Sequence, residues 1–446
     1  MDNHQLSVKS YPLYKDSAIA WLGDVPEHWE VSRIKQKGTV RGRVGWKALK
    51  ADEYVNEGYI FLSTPNIKEK DIDFENVNYI TYERYIESPE IIIQQGDILL
   101  TKDGSTLGTT NIVSSLPREA TVNSSIAVVR FNKDVFKKYI YYQILSEFIQ
   151  NKISLKKSGM GVPHLFQRDI NNFFILIPPL SEQKSIAAYL DTKTAHCDRK
   201  IDLLTQKATQ YGKLKHSLIN ETVIRGLDKS VPMKDSGVEW IGDVPEHWQL
   251  KRLKDIGTSI IGITYAPEDA LGDKTSGLLV LRSSNIQNGR LSLSDTVYVN
   301  KKVNPRQIVK KGDILICSRN GSRALIGKNI CIDERTKGQT FGAFMTVYRS
   351  KYFRFISKFF NSNVFESQSG LFGSSTINQL TVNTLNNFLL ILPPLSEQKA
   401  IADYLDKKTA QIDQIIKTIN TQIEKLKELR KTLINDVVTG KIKVIE

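Results

Sequence analysis

Cysteine is scarce: only Cys197, Cys317 and Cys331 occur in 446 residues, and no pair has a CxxC or other metal-ligand spacing. This excludes a disulfide framework and a cysteine-held zinc, and it points to a reduced, cytoplasmic setting. Long apolar runs are missing too, since "FILIPPL" and "FLLILPPL" are too short to span a bilayer. The opening "MDNHQLSVKSYPLY" lacks the apolar stretch of a secretion signal, and there is no basic amphipathic start or lipidation motif. No membrane is expected as a partner. The six histidines form no HExxH or triad-like pattern, so a structural role is the expectation for them.

Catalytic motifs are incomplete wherever they begin. "GSRALIGKN" (321–329) has five residues rather than four between Gly321 and Gly327, and Asn329 where a hydroxyl should meet Mg²⁺, so it is not a phosphate loop. "IPPL" (177–180) and "LPPL" (392–395) resemble the tetrapeptide of amino-methyltransferases, but Ile177 and Leu392 cannot accept a hydrogen bond from a target amino group. No glycine-rich strand-to-helix turn for a methyl donor accompanies them. "EQK" (182–184, 397–399) matches the tail of a nuclease site, with Asp169 upstream in the first instance but Thr384 at the equivalent place in the second. A chain without catalysis or metal of its own is the reading these failures favour.

What is present is positive charge and repetition. Lys and Arg number 62 against 48 Asp and Glu, a formal charge of +14, and such a surplus favours a polyanionic partner, nucleic acid above all. "WLGDVPEHW" (21–29) returns as "WIGDVPEHW" (240–248), about half the chain later. "PPLSEQKSIAAYLD" (178–191) returns as "PPLSEQKAIADYLD" (393–406), and "QGDILLTKDGS" (95–105) is echoed by "KGDILICSRNGS" (311–322). Residues 38–90 and 257–308 share little. Each half therefore joins a variable domain to a constant segment.

The constant segments read as long helices. Pro-Pro precedes each, Ser181 and Ser396 are expected N-caps, Glu182 and Glu397 lie in the first turn, and Gly226 and Gly440 close the far ends. Ile412, Ile415, Ile419, Leu426, Leu429 and Leu433 make a seven-residue pattern broken at Gln422, answered more weakly by Cys197, Leu204, Tyr211, Leu214 and Leu218. Each helix is the natural partner of the other, and a pseudo-twofold relation makes them antiparallel with the variable domains at opposite ends. Within those domains, "GDILL", "IAVVRF", "GDILICS" and "AFMTVYR" read as strands, while 134–153 and 352–368 carry helical spacing. The fold expected is α+β, a pseudo-twofold internal repeat of two globular domains separated by a coiled coil.

With "WxGDVPEHW" and "PPLSEQKxIAxYLD" each present twice before or at a long helix, the chain resembles the specificity subunit of Type I restriction-modification systems over nearly its full length. The resemblance implies target recognition domains at 21–178 and 240–393, a central long helix at 179–228, a linker at 229–239 and a distal long helix at 394–446. Residues 1–20 would pack near the C-terminus. Each domain would read one half of a bipartite, asymmetric site in double-stranded DNA, and the helices would set the spacer and dock two modification subunits. Restriction subunits would join them, and S-adenosylmethionine, ATP and Mg²⁺ would be used by those partners.

The helix-start residues carried over as the partner interface are Leu180, Ser181, Glu182, Gln183 and Lys184, with Leu395, Ser396, Glu397, Gln398 and Lys399. Candidate DNA contacts come from glycine-flanked loops whose polar content differs between the copies, glycine allowing backbone to approach a ligand closely. In the first domain they are Arg43, Lys102, Ser105, Lys157, Met160 and His164, with Arg41, Trp46 and Lys47 as lesser ones. In the second they are Arg282, Ser283, Arg319, Asn320, Arg323, Ser374 and Thr376. The competing reading is a coiled-coil scaffold that assembles other chains without reading DNA.

Overall fold

A computed structural model describes residues 10–43, 49–155, 163–271, 277–287, 289–370 and 379–444. The chain forms two units, residues 1–204 with 421–446 and residues 205–420.

In the first unit a four-stranded antiparallel sheet runs in the order Gly38–Arg41, Ile126–Phe131, Ile98–Thr101, Thr110–Ile112. Its two middle strands, IAVVRF and ILLT, are almost continuously apolar because both faces are covered. Ile98, Leu100, Ala127 and Val129 enter the core that holds Trp29, Tyr139 and Ile186. Leu99, Ile126 and Val128 point the other way, into a second core beneath Asn78–Ile80, Tyr59–Leu62 and Ala120–Val122. That alternation is the two-residue period of a strand.

The second unit repeats the plan. Thr258–Ile261, Met345–Arg349, Ile314–Cys317 and Asn329–Cys331 form its antiparallel sheet. Ile314 and Ile316 face the core around Trp248, and Leu315 and Cys317 face the other. The expected single helices over 134–153 and 352–368 are each broken in two, into Lys137–Leu145 with Glu147–Leu155 and Phe353–Phe359 with Asn363–Gly370. Buried serines mark both breaks, Ser146 donating to the Gln143 carbonyl (2.6 Å) and Ser362 to the Phe359 carbonyl (2.7 Å).

The long helices span Leu180–Arg225 and Leu395–Val438. Each starts directly after its proline pair, so Ser181 and Ser396 lie inside the first turn and are not N-caps. The first helical bonds run to the proline carbonyls, Gln183 N–H to Pro179 and Gln398 N–H to Pro394, both 3.0 Å, which puts proline at each N-cap. Gly226 (φ +76°) follows the end of the first helix and Gly440 (φ +77°) lies just beyond the second, both in the left-handed conformation that glycine tolerates.

Within each unit the helix segments run antiparallel. In the first, Ile186 and Leu190 share a core with Ile434, Val437 and Val438, and further along Asp198 meets Arg430 at 3.0 Å. In the second, Ile219 and Val223 share a core with Ile401 and Leu405, and Lys215 meets Asp413 at 2.7 Å.

The inward residues of the second helix are Leu405, Thr409, Ile412, Ile416, Ile419, Ile423, Leu426, Arg430, Leu433 and Val437, spaced alternately four and three residues apart. The seven-residue period expected from sequence is correct, but Ile415 and Leu429 are exposed. Their places in the seam belong to Ile416 and Arg430, and the apparent break at Gln422 disappears because Ile423 fills it. Leu214 is likewise exposed, and Lys215 takes its seam position. Ile423→Ala is therefore expected to cost about 2–5 kcal/mol, whereas Leu429→Ala stays within about 0.5 kcal/mol. Chemical unfolding of the two variants measures this, and equal losses would contradict the assigned seam.

Candidate nucleic-acid interface

The repeated nine-residue motif seats each domain on helix ends. Trp29 and Trp248 are buried, and their indole N–H groups donate to the first-turn carboxylates Glu182 (3.2 Å) and Glu397 (2.9 Å). His28 Nε2 lies 2.8 Å from Glu182, and His247 Nε2 lies 2.7 Å from Glu397. A carboxylate there also faces the positive end of the helix. The first copy adds Tyr11, whose phenol donates to Glu182 at 2.5 Å, where the second copy has Val231. Burial, and then the hydrogen bond to the Glu182 carboxylate and its charge, push that phenol well above its ordinary pKa. On the other side of the motif sits a helix end: a Cβ on Gly226 would stand 3.0 Å from the Trp248 ring, and one on Gly440 would run into Pro26. Tyr14 donates to the Gly440 carbonyl at 3.1 Å. The prolines and tryptophans are thus anchors, which explains why the motif is written twice.

The helix-start residues divide by orientation. Gln183 is buried, donates to the Pro178 carbonyl and accepts the Phe136 N–H, both at 2.8 Å. Gln398 is buried as well and donates to the Pro393 carbonyl at 2.8 Å. With Glu182 and Glu397 they serve their own domains. Leu180, Ser181, Lys184, Leu395, Ser396 and Lys399 are exposed.

At the end of the two central strands away from the glycine-flanked loops each domain carries the same strut. Arg130 makes two bonds to buried Asp97 (2.8 and 2.6 Å) and one to the Ile92 carbonyl (2.9 Å). Arg349 does the same with Asp313 (2.8 and 2.7 Å) and the Ile308 carbonyl (2.9 Å). The carboxylate bonds raise both guanidinium pKa values further. The two glycine-flanked loops of each domain are then stitched together by backbone. Leu165 N–H bonds the Lys102 carbonyl (2.8 Å), with Asp103 opposite His164. Leu380 N–H bonds the Ser318 carbonyl (2.7 Å), with Arg319 opposite Gln379.

The candidate contacts fall into three groups. Arg43 pairs with Glu87 at 2.9 Å with its side chain only 7% exposed, so its charge is spent inside the domain. Arg282 pairs with Asp295 at 2.7 Å and is half-buried, and Lys102, Ser283 and Asn320 are also half-buried, with Asn320 donating to Ser283 at 3.4 Å. Exposed are Arg41, Ser105, Arg319 and Arg323. His164 is hydrogen-bonded to Asp103 and lies edge-on to Phe166 (4.4 Å). Trp46, Lys47, Lys157, Met160, Ser374 and Thr376 lie outside the described residues. No local pattern marks Asp103 or Gln379: only the pairing of the loops shows that Asp103 matches Arg319 and that Gln379 matches His164.

Among the described residues no three His, Cys, Asp or Glu side chains are placed to hold a metal ion, and no helix is long and apolar enough to cross a membrane. Burial raises the Cys317 thiol and pushes Cys331 up to about 11, so neither is a ready nucleophile.

Comparison with known proteins agrees with this duplicated plan. The Type I restriction modification DNA specificity domain family matches residues 26–210 and again 245–425. The Type I restriction enzyme MjaVIII specificity subunit of Methanocaldococcus jannaschii is 27% identical over 436 residues, covering 94% of each chain. The EcoKI specificity subunit of Escherichia coli K12 is 31% identical over 207 residues, 45% of this chain and 44% of that one. A solved structure reported under "Structural basis underlying complex assembly and conformational transition of the type I R-M system" superposes with a TM-score of 0.71 at 18% identity, covering 94% of this chain and 99% of that one, which shows a shared fold.

Proposed function

The chain belongs to the Type I restriction modification DNA specificity family, with two copies of its domain, and from that premise we infer how it works. It is the specificity subunit of a Type I restriction-modification complex, and its two recognition domains serve a bipartite DNA target. The observation that carries this is the contrast within the repeat. The Trp–His anchor on the helix-start glutamate, the strut and the loop stitch are built twice from matching residues, whereas the stitched loops present Asp and His in one domain and Arg and Gln in the other. A duplicated frame with divergent polar tips suits the reading of two different half-sites. The +14 charge suits a phosphate backbone.

The finer assignments are proposals. The paired helices fix the distance between half-sites, and the exposed residues at the helix starts, Leu180 with Lys184 and Leu395 with Lys399, dock one modification subunit each. Methyl transfer from S-adenosylmethionine and the ATP- and Mg²⁺-dependent steps belong to modification and restriction subunits, and the whole works on cytoplasmic DNA. This chain supplies recognition without catalysis.

Two experiments test the reading. Purified chain incubated with DNA, Mg²⁺ and S-adenosylmethionine should leave the DNA unchanged. Cells expressing it with its modification subunit should gain a bipartite methylated motif absent from cells with the modification subunit alone. A verified complex that adds no motif would favour the scaffold reading.

A further inference from the structure

We propose that Arg319 and Gln379 are the base-reading pair of the second domain, with Arg319 directed at a guanine, and that Asp103 and His164 hold the corresponding positions in the first. This rests on the half-site reading above and sharpens it to named side chains.

Position comes first. Asp103 and Arg319 each stand two residues past a buried strand, Ile98–Thr101 and Ile314–Cys317, and each is bridged to the loop that follows the broken helix. The strands and stitches that hold these positions recur in both domains, so backbone placement is fixed by the core. Side-chain chemistry alone is left to vary.

Availability comes second. Arg43 and Arg282 are tied to carboxylates, whereas no described carboxylate pairs with Arg319. Its guanidinium lies 5.2 Å from the centre of the Phe344 ring, itself 60% exposed. A cation resting on an aromatic face keeps its N–H edge free and its rotamer limited. Gln379 beside it is exposed as well. In the first domain the neighbouring aromatic is Phe166, also exposed, with His164 at its edge and Arg168 at 5.1 Å.

The chemistry then follows from base edges. A guanidinium offers two parallel donors to guanine O6 and N7, and a glutamine amide matches the adenine N6 and N7 pair. Asp103, whose Oδ1 meets His164, has its other carboxylate oxygen left to accept from the cytosine amino group. The two domains would therefore demand different bases from one shared scaffold.

The test uses the complete complex with its modification subunits, once methylome sequencing has given the wild-type motif. Arg319→Ala and Arg319→Lys complexes are titrated with duplexes in which each motif position is replaced in turn. The expected result is loss of discrimination at one guanine of one half-site, a change of roughly 5- to 150-fold, with the other half-site and thermal unfolding unchanged. Lysine keeps the charge but not the rigid planar fork, so it should discriminate less sharply at the same position. Uniform weakening for every duplex would make Arg319 a backbone contact, an unaltered motif would leave it no part in base reading, and either would overturn the proposal. Absence of any bipartite motif in the wild type would instead overturn the half-site reading.

Discussion

Replacing Trp29 by Ala is expected to destabilise the first unit by about 3–5 kcal/mol, and Trp248→Ala to do the same to the second. Both indoles are fully enclosed, at 0% and 1% exposure, so truncation leaves a cavity that rigid neighbours cannot close. Each loss also removes an N–H donor from Glu182 or Glu397, leaving a partly buried carboxylate with fewer partners. The helix end resting on the ring loses its support in turn, since Gly226 backs on Trp248. Because the tryptophans lie in different units, a single unfolding free energy does not describe the chain. The expected observation is one transition lowered by on the order of 10 °C while the other stays in place. Thermal unfolding of the two variants measures this, and unchanged profiles in both would remove the motif from its anchoring role.

Cutting the strut should have a similar cost by a different route. Arg130→Ala strands the Asp97 carboxylate, 1% exposed, and Arg349→Ala strands Asp313, 2% exposed. Removing one partner of a buried pair costs about 3–5 kcal/mol because a charge is left uncompensated. The sharper expectation is non-additivity: adding Asp97→Asn to Arg130→Ala should recover part of the loss, since the buried charge has gone. Denaturant unfolding of the single and double variants decides it. Additive losses would mean that the guanidinium contributes through packing and its bond to the Ile92 carbonyl, and not through the carboxylate.

The duplicated architecture was legible in the sequence because repetition survives in the residues that hold helix ends: Trp, Pro, Glu and Gly at fixed offsets. The seam was half legible. Ile412, Ile419, Leu426 and Leu433 were placed correctly, but the alternate positions were assigned to the nearest apolar letters, Ile415 and Leu429. The true occupants include Arg430 and Lys215, whose polarity hid them. Arg430 and Lys215 can lie inward because Asp198 and Asp413 meet them there. The serines are not caps because each helix begins at the leucine before them, which leaves proline, without a side-chain acceptor, at the N-cap.

The recognition loops were legible as regions and not as residues. Residue type and glycine content found the loops, yet Arg43 and Arg282 turned out to serve their own domains, and Asp103 and Gln379 were passed over. Pairing between distant loops is a tertiary fact, and no local pattern around Asp103 or Gln379 announces it.

The most direct measurement is methylome sequencing after exchanging residues 240–393 for the second recognition domain of a relative with a known target, in a complex with the modification subunit. One half of the methylated motif should change to the donor's half, while the other half and the spacer remain. A motif that changes in both halves, or in neither, would contradict the division of recognition between two independent domains.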